Sequence, residues 1–420
     1  MMKKLTVAKF IEGSYFPSFD GASSKFSNIP RFIQQVGVDM KIVHCYRGWS
    51  DLQLIRKLPF VTYAMPPSIF YGRPDILLQI LARDEIDIIE FNDIETIISI
   101  GAFLSHKLNI PITYDVLIVS SELAKFISTN LDVIKTKALE KRSKGLISAA
   151  TCLTSYDRYK FINTSLIDSN RVFVVPLGVD IDKIVFCGPA INSNIILFLG
   201  NLFYEPNARA VETIATVIYP MIEKVIPSAV FWIIGDVPIK LVKKYQRSNF
   251  QFEGRVKDKD LNKIFKHTKV ALAPLDIGGG MRVKVLHYMA AGIPTILTST
   301  AAEGIVDNNL IIEDNYSKYA DKILGLFQND SLSQKIGKAL RKNTEEYYTW
   351  DRIANLLNEF YIFAKNNKVS VPYYESNKTV FKPPSWLKET ISKGRFISKE
   401  ALPDNFYLRL GNGEVKKFVA

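Results

Sequence analysis

The feature that most constrains this chain is a rhythm that starts twice. Short apolar runs alternate with amphipathic stretches, and after residue 194 the alternation begins afresh. In the first pass, residues 5–10 predict a strand and residues 16–23, with Pro17, Asp20 and Gly21, predict a loop. A helix then runs to about Gln35, and strands are expected at 40–45, 86–91, 112–116, 151–154 and 172–175. In the second pass, strands are expected at 195–199, 229–234, 250–253, 270–273, 295–298 and 310–312. Helices are expected at 207–225, 258–267 and 283–291. Strand–helix–strand repetition is the pattern of a parallel sheet covered on both faces. The simplest account is α/β: two successive doubly wound Rossmann-like units joined by a Gly- and Pro-containing linker at 177–194. A length of 420 residues fits it, at about 150 residues per domain.

Composition narrows the function. Hydrophobic residues make up 47% and charged residues 23%, a balance that excludes disordered, collagenous and disulfide-scaffold classes. Cys45, Cys152 and Cys187 are widely spaced and form no CxxC, so neither a zinc site nor a disulfide framework is expected. The start, Met1-Met2-Lys3-Lys4, leads into an apolar stretch broken by Lys9 and Glu12, which reads as a strand and not a signal peptide. No run reaches the roughly 18 apolar residues of a membrane span. A cytoplasmic protein is expected, with membrane association confined to the inner face. The net charge of +12 points to an anionic partner: nucleotide phosphates, an acidic membrane surface, a glycan or a nucleic acid. No nucleic-acid-binding module is recognisable.

The strongest local signal lies between Pro274 and Pro294. A strand ends at Pro274, Gly278-Gly279-Gly280 follow, and a helix begins near Met281 with Arg282 and Lys284 at its entrance. Glycines let a backbone approach a ligand closely, and a helix N-terminus presents free amides and a positive dipole end to an anion. With two full cations added, this is the arrangement expected for a diphosphate. In an open α/β sheet such ligands bind beyond the carboxyl ends of the strands.

With that motif stand Phe198-Leu199-Gly200-Asn201-Leu202, Pro206-Asn207, Ile233-Ile234-Gly235, Gly254-Arg255-Val256, Arg282-Val283-Lys284-Val285-Leu286, Met289-Ala290-Ala291-Gly292 and Ala302-Glu303-Gly304. Together they resemble the nucleotide-sugar half of bacterial GT-B glycosyltransferases, family 4-like (glycosyl transferases group 1). The first half agrees more loosely, through Asp87-Ile88-Ile89, Tyr114-Asp115-Val116, Val175-Pro176 and Gly178-Val179-Asp180. Trp350 resembles the tryptophan before that family's closing helix.

The resemblance implies two Rossmann-like domains facing a cleft. An acceptor-side domain would cover 1–182, a nucleotide-sugar domain 183–345 and a closing helix 346–367. A basic, aromatic extension at 368–420 lies outside the resemblance and is expected to pack on the body, on a partner chain or on an acceptor. It implies transfer of a sugar from a nucleotide diphosphate sugar to a hydroxyl of a glycan, a lipid-linked sugar or a small metabolite. The transfer would retain configuration and need neither metal nor cofactor. Arg282 and Lys284 would neutralise the leaving diphosphate. Gly200, Asn201, Gly235, Arg255, Val256, Gly279, Gly280, Met281, His287 and Glu303 would line the donor site. Asp115 would position an acceptor hydroxyl, with Asp20, Gly21 and Asn92 on the acceptor side.

Departures at four positions keep alternatives open. His287 stands where the family usually carries a glutamate, and Gly279 stands where its partner glutamate would fall. Leu117 follows Tyr114-Asp115-Val116 where a histidine is common, and Asn92 also replaces a frequent histidine. A catalytically degenerate binding or partner subunit is therefore the second reading. An epimerase or hydrolase on the same scaffold is the third. Asp180-Ile181-Asp182 and Asp258-Lys259-Asp260 resemble a metal-binding DxD, but acids at a linker turn and a helix start need no metal. Lys135, Lys137, Lys141, Arg142 and Lys144 form a basic helical run, either a solvated face or a contact for anionic lipid.

Overall fold

The computed structural model describes residues 4–12, 21–46, 58–127, 130–257, 260–371, 405–409 and 415–419. Two compact units divide the chain: residues 1–175 with 353–420, and residues 176–352.

The first unit is built on β1 (Leu5–Glu12), β2 (Val38–Cys45), β3 (Thr62–Met65), β4 (Ile88–Phe91), β5 (Ile112–Val116), β6 (Ile147–Cys152) and β7 (Val172–Val174). These strands are parallel, in the order β3-β2-β1-β4-β5-β6-β7, so the winding reverses between β1 and β4. Helix α1 (Gly21–Ile33) follows β1, and α2 (Asn130–Ser143) and α3 (Ser155–Ser165) flank β6. Gly21, Ala22 and Ser23, expected in a loop, open α1 instead. Asp20 lies outside the described residues. The helix Trp350–Asn366 closes this unit with its later turns, where Phe360 and Phe363 meet Phe173 of β7 edge-on.

One face of this sheet buries charge. Lys9 of β1 lies beside Glu90 of β4 in the strand register, and its ammonium reaches Glu90 at 2.5 Å and Asp115 of β5 at 2.7 Å. Lys25 of α1 donates to the other Asp115 oxygen at 2.6 Å, joined by the Thr151 hydroxyl at 3.1 Å. Tyr361 of the closing helix donates to Glu90 at 2.9 Å. All four ionic side chains are at most 3% exposed. Two cations and two anions therefore neutralise one another, which lets the strands carry charge without an orphaned group.

The second unit holds β8 (Ile195–Leu199), β9 (Val230–Ile234), β10 (Phe250–Glu253), β11 (Thr268–Ala273), β12 (Thr295–Leu297) and β13 (Ile311–Ile312). They are parallel in the order β10-β9-β8-β11-β12-β13. The chain winds outward from β8 to β10, then returns to place β11 on the other side of β8. The switch point of this sheet is thus the gap between the ends of β8 and β11. Helix α4 (Glu205–Thr213) follows β8, and α5 (Val283–Ala291) follows β11. The expected linker is fastened to this unit: the amides of Cys187 and Gly188 both donate to the Ala291 carbonyl at 3.0 Å, and that of Ala190 donates to the Thr268 carbonyl at 2.9 Å.

From the extension, β14 (Asn405–Arg409) and β15 (Val415–Val419) pair antiparallel with each other, and β14 pairs antiparallel with β3. They lengthen the first sheet to nine strands.

Burial alone would raise an acid, but the Lys25 and Lys9 charges outweigh it and hold Asp115 well below the usual carboxylate range. Its stabilising effect is therefore full above the unfolded value of about 4 and is lost as pH falls below it. Asp115→Asn takes the carboxylate from buried Lys25 and leaves Lys9 with Glu90 alone, and should cost about 3 kcal/mol or more at neutral pH. Urea unfolding should show that loss, and a shallower acid limb than the parent.

Candidate functional site at the switch point of the second sheet

Beyond β8 the backbone turns through Gly200 and Asn201. The Gly200 amide donates to the Ile234 carbonyl at 2.9 Å, and the Leu202 amide donates to that of Asp236 at 2.7 Å. This turn packs backbone to backbone on the turn after β9. A Cβ at Gly235, whose φ is +144°, would lie 2.0 Å from the Gly200 carbonyl oxygen. A Cβ at Gly200 would lie 2.9 Å from both the Asn207 amide and the Lys284 ammonium. Gly200 is therefore the opening through which a cation on α5 approaches the end of β8.

The Gly-rich segment runs from β11 to α5. Asp276 pairs with Arg209 of α4. Arg282 occupies the position before the first turn of α5, and its guanidinium donates to the carbonyls of Gly279 and Gly280. The loop thus curls around its own cation. Lys284, in the first turn, donates to Asn207 Oδ1 at 2.7 Å and stands 4.0 Å over the Phe198 ring. Lys284 is half-buried as a residue, and its ammonium lies in desolvated surroundings. Burial first, and the nearby Arg282 second, push Lys284 well below the ordinary lysine range. Among the described residues it forms no ion pair. A cation taken out of water without a carboxylate is costly unless an anion arrives.

Beside this seat is a cleft of about 570 Å³, lined by Asn201, Phe203, Asp236, Val237, Val242, Phe252, Glu253 and Gly254. It lies beyond the ends of β8, β9 and β10. The lysine seat and the cleft share the Gly200–Asn201 turn. One is suited to charge; the other, with two aromatic rings and two carboxylates, is suited to a planar group with donors at its edge.

The sequence-derived donor set falls around these two places unevenly. Gly200, Asn201, Gly235, Gly279, Gly280, Arg282 and Lys284 belong to the turns just described. Arg255 and Val256 follow directly on Gly254, with Arg255 exposed. His287 is half-buried on the next turn of α5, and Glu303 is half-buried in the turn after β12. Met281 departs from expectation. It is buried, and its sulfur accepts from the Leu177 amide at 3.2 Å, a packing contact in place of a ligand contact. The helix accordingly starts at Val283 and not at Met281. Asn207, Phe198 and Tyr288 were not singled out as site residues, although all three shape the site. Tyr288 accepts from the Leu199 amide at 2.7 Å and so fixes the end of β8.

In the first unit, Asp115 does not hold the acceptor role expected of it. At 1% exposure, with its oxygens held by Lys9, Lys25 and Thr151, it is part of the ionic core. Asn92 follows β4 and is half-buried, and the next residue, Asp93, caps a helical turn by accepting from the Thr96 amide at 2.9 Å. Gly21 opens α1. Asp180 accepts from the amides of Asp182 and Lys183 and pairs with Lys183, so it closes a turn. Asp260 pairs with Lys263, while Asp258 and Lys259 lie outside the described residues.

Comparison with known proteins supports the resemblance. Residues 193–329 match the family model described as Glycosyl transferases group 1. The UDP-Gal:alpha-D-GlcNAc-diphosphoundecaprenol alpha-1,3-galactosyltransferase of Escherichia coli is 25% identical over 190 residues. That match covers 40% of this chain and 46% of the relative, so the chain spans just under half of that relative's length. Among solved structures, Anabaena HepE in complex with UDP and glucose has a TM-score of 0.66 at 11% identity, covering 85% of this chain and 99% of that one. Sucrose-phosphate synthase from Thermosynechococcus elongatus has a TM-score of 0.67 at 13% identity, covering 86% and 98%. These likenesses establish the α/β fold of GT-B glycosyltransferases.

Gly200→Ala should force Asn207 and Lys284 apart from the β8 turn. Its expected effect is a loss of nucleotide binding of about tenfold or more with a fall in stability of about 1–3 kcal/mol. Calorimetric titration and denaturant unfolding measure the two.

Proposed function

We propose that this chain is a glycosyltransferase. It transfers a sugar from a nucleotide diphosphate sugar, of UDP or GDP type, to a hydroxyl on a glycan, a lipid-linked sugar or a small metabolite. The observation that carries this reading is the enclosed Lys284 ammonium, set beside Arg282 at the mouth of α5 and, among the described residues, hydrogen-bonded only to a neutral amide. A diphosphate supplies the missing negative charge. UDP appears with Anabaena HepE, and UDP-galactose is the donor named for the E. coli relative, which favours a uridine donor here.

In the reaction, the bond from the anomeric carbon to the β-phosphate oxygen breaks and its electron pair stays on the nucleoside diphosphate. A bond forms from the acceptor oxygen to the same carbon, and the acceptor proton passes to the departing phosphate oxygen. Such a same-face exchange retains configuration. Arg282, Lys284 and the free amides of the α5 mouth hold the charge that develops, so no metal is required for it. The cleft beside Asn201 takes the base. Half-buried His287 donates to a ribose hydroxyl or a phosphate, in place of the glutamate of relatives.

A second reading, a binding or partner subunit without turnover, is favoured by one observation. Asp115, the acid expected on the acceptor side, is consumed by two lysines. Nucleotide binding is common to both readings; sugar transfer belongs to the first alone. Oligomerisation through the extension would use β15, the outer strand of the first sheet.

An inner-face membrane contact fits α2 and α3, which pack against each other. Lys135, Lys137, Lys141 and Arg142 are exposed on α2, with Lys144 just beyond it and Ile134 at 66% exposure. On α3, Tyr156 and Tyr159 are 53% and 66% exposed, and Lys160 rests 4.0 Å from the Tyr156 ring. Basic side chains beside exposed aromatics suit an anionic bilayer surface.

Arg282→Ala should weaken UDP or GDP binding by about tenfold or more, read by calorimetry. Failure of the parent protein to bind either nucleotide would overturn the assignment. Co-sedimentation with vesicles containing phosphatidylglycerol should fall with added salt, and fall again when Lys137, Lys141 and Lys144 are replaced by Ala. Salt-independent association, or none, would remove the membrane contact from the proposal.

A further inference from the structure

Asn207 bridges two parts of the switch point. Its amide nitrogen donates to the Asn201 carbonyl at 2.9 Å, and its amide oxygen accepts from Lys284 at 2.7 Å. The residue is 8% exposed and sits in the first turn of α4, which opens beside Tyr204. Both bonds fix the same orientation: an ammonium only donates and a carbonyl only accepts, so the side chain cannot turn over without losing both.

An ammonium carries three donors, and Asn207 takes one. An aspartate would anchor the lysine as well as Asn207 does, but would cancel its charge and repel an incoming phosphoryl group. An aliphatic residue would leave the ammonium unanchored in an enclosed space. Asparagine is the side chain of this size that holds the cation and leaves its charge unspent.

Resting on the reading that this site takes a nucleoside diphosphate, we propose that Asn207 is the positioning residue of the donor site: it holds the Lys284 amine against the Gly200–Asn201 turn, pre-oriented and without a carboxylate partner among the described residues, so that it meets the diphosphate oxygens as a full cation. The residue acts through Lys284 and is not itself part of the bond-making step.

The test titrates the full-length chain with UDP, with GDP and with inorganic pyrophosphate as a base-free probe, in buffers of different ionisation heat. Burial and Arg282 lower the proton affinity of the empty lysine, so the parent protein should take up protons as the anion binds, and binding should weaken as pH rises. Asn207→Asp should weaken binding by about tenfold or more and abolish the proton uptake, because the carboxylate already keeps the lysine charged. Asn207→Ala should weaken binding while leaving the uptake in place. Thermal melts identify a variant that fails to fold, in which case Asn207→Ser, which keeps a neutral acceptor, should bind more tightly than Asn207→Ala. A parent protein that binds none of the three probes overturns the diphosphate reading, and this role with it. If the parent binds and the variants match it within about twofold, only the positioning role falls. Weakened binding by Asn207→Asp with unchanged proton uptake likewise overturns it.

Discussion

An enclosed ammonium held by an uncharged amide is the constraint around which the second unit is arranged. Lys284 reaches the end of β8 only because Gly200 has no side chain, and Gly200 keeps its turn only because Gly235 leaves room for its carbonyl. The Gly-rich segment, curled on Arg282, brings a second cation to the same mouth. Each element is ordinary for a parallel α/β sheet. Their conjunction at the reversal of strand order concentrates positive charge where the fold leaves a crevice.

The first unit uses the same residue type to the opposite end. Lys9 and Lys25 are 3% and 1% exposed, within the range of the apolar core, yet each meets a carboxylate, and Tyr361 and Thr151 complete the arrangement. Burial pushes a lysine toward neutrality in both places. In the first unit, the Asp115 and Glu90 charges reverse that push and raise Lys9, whereas in the second Arg282 adds to it and Lys284 falls. Burial acts on both lysines, and the charge of their neighbours sets the opposite outcomes.

Much of the fold could be read from local pattern. Strands β5 and β8 and helix α5 fall where apolar runs and the Gly-rich breaks place them. Strand β3 was missed because Thr62-Tyr63-Ala64-Met65 lies between Pro59 and Pro66-Pro67 and reads as a punctuated loop. Strand β6 was placed late because Ser148-Ala149-Ala150 carries little β signal. At the site, residue types and spacing pointed to Arg282 and Lys284, but not to the bonds that define them. Lys284 finds Asn207 77 positions away, and Asp115 finds Lys25 and Lys9 at 90 and 106 positions. A carboxylate at the end of a strand has the same sequence signature whether it faces a substrate or two lysines.

The chain path itself has a consequence for biogenesis. Residues 176–352 form one uninterrupted unit, whereas the other unit needs residues on both sides of it. Tyr361 must reach Glu90, and β14 must reach β3, before that sheet is complete. During vectorial synthesis the inserted unit emerges whole and can fold while its host still waits for residues 353–420. Until then the ionic group of Lys9, Lys25, Glu90 and Asp115 lacks only the Tyr361 hydroxyl that closes it.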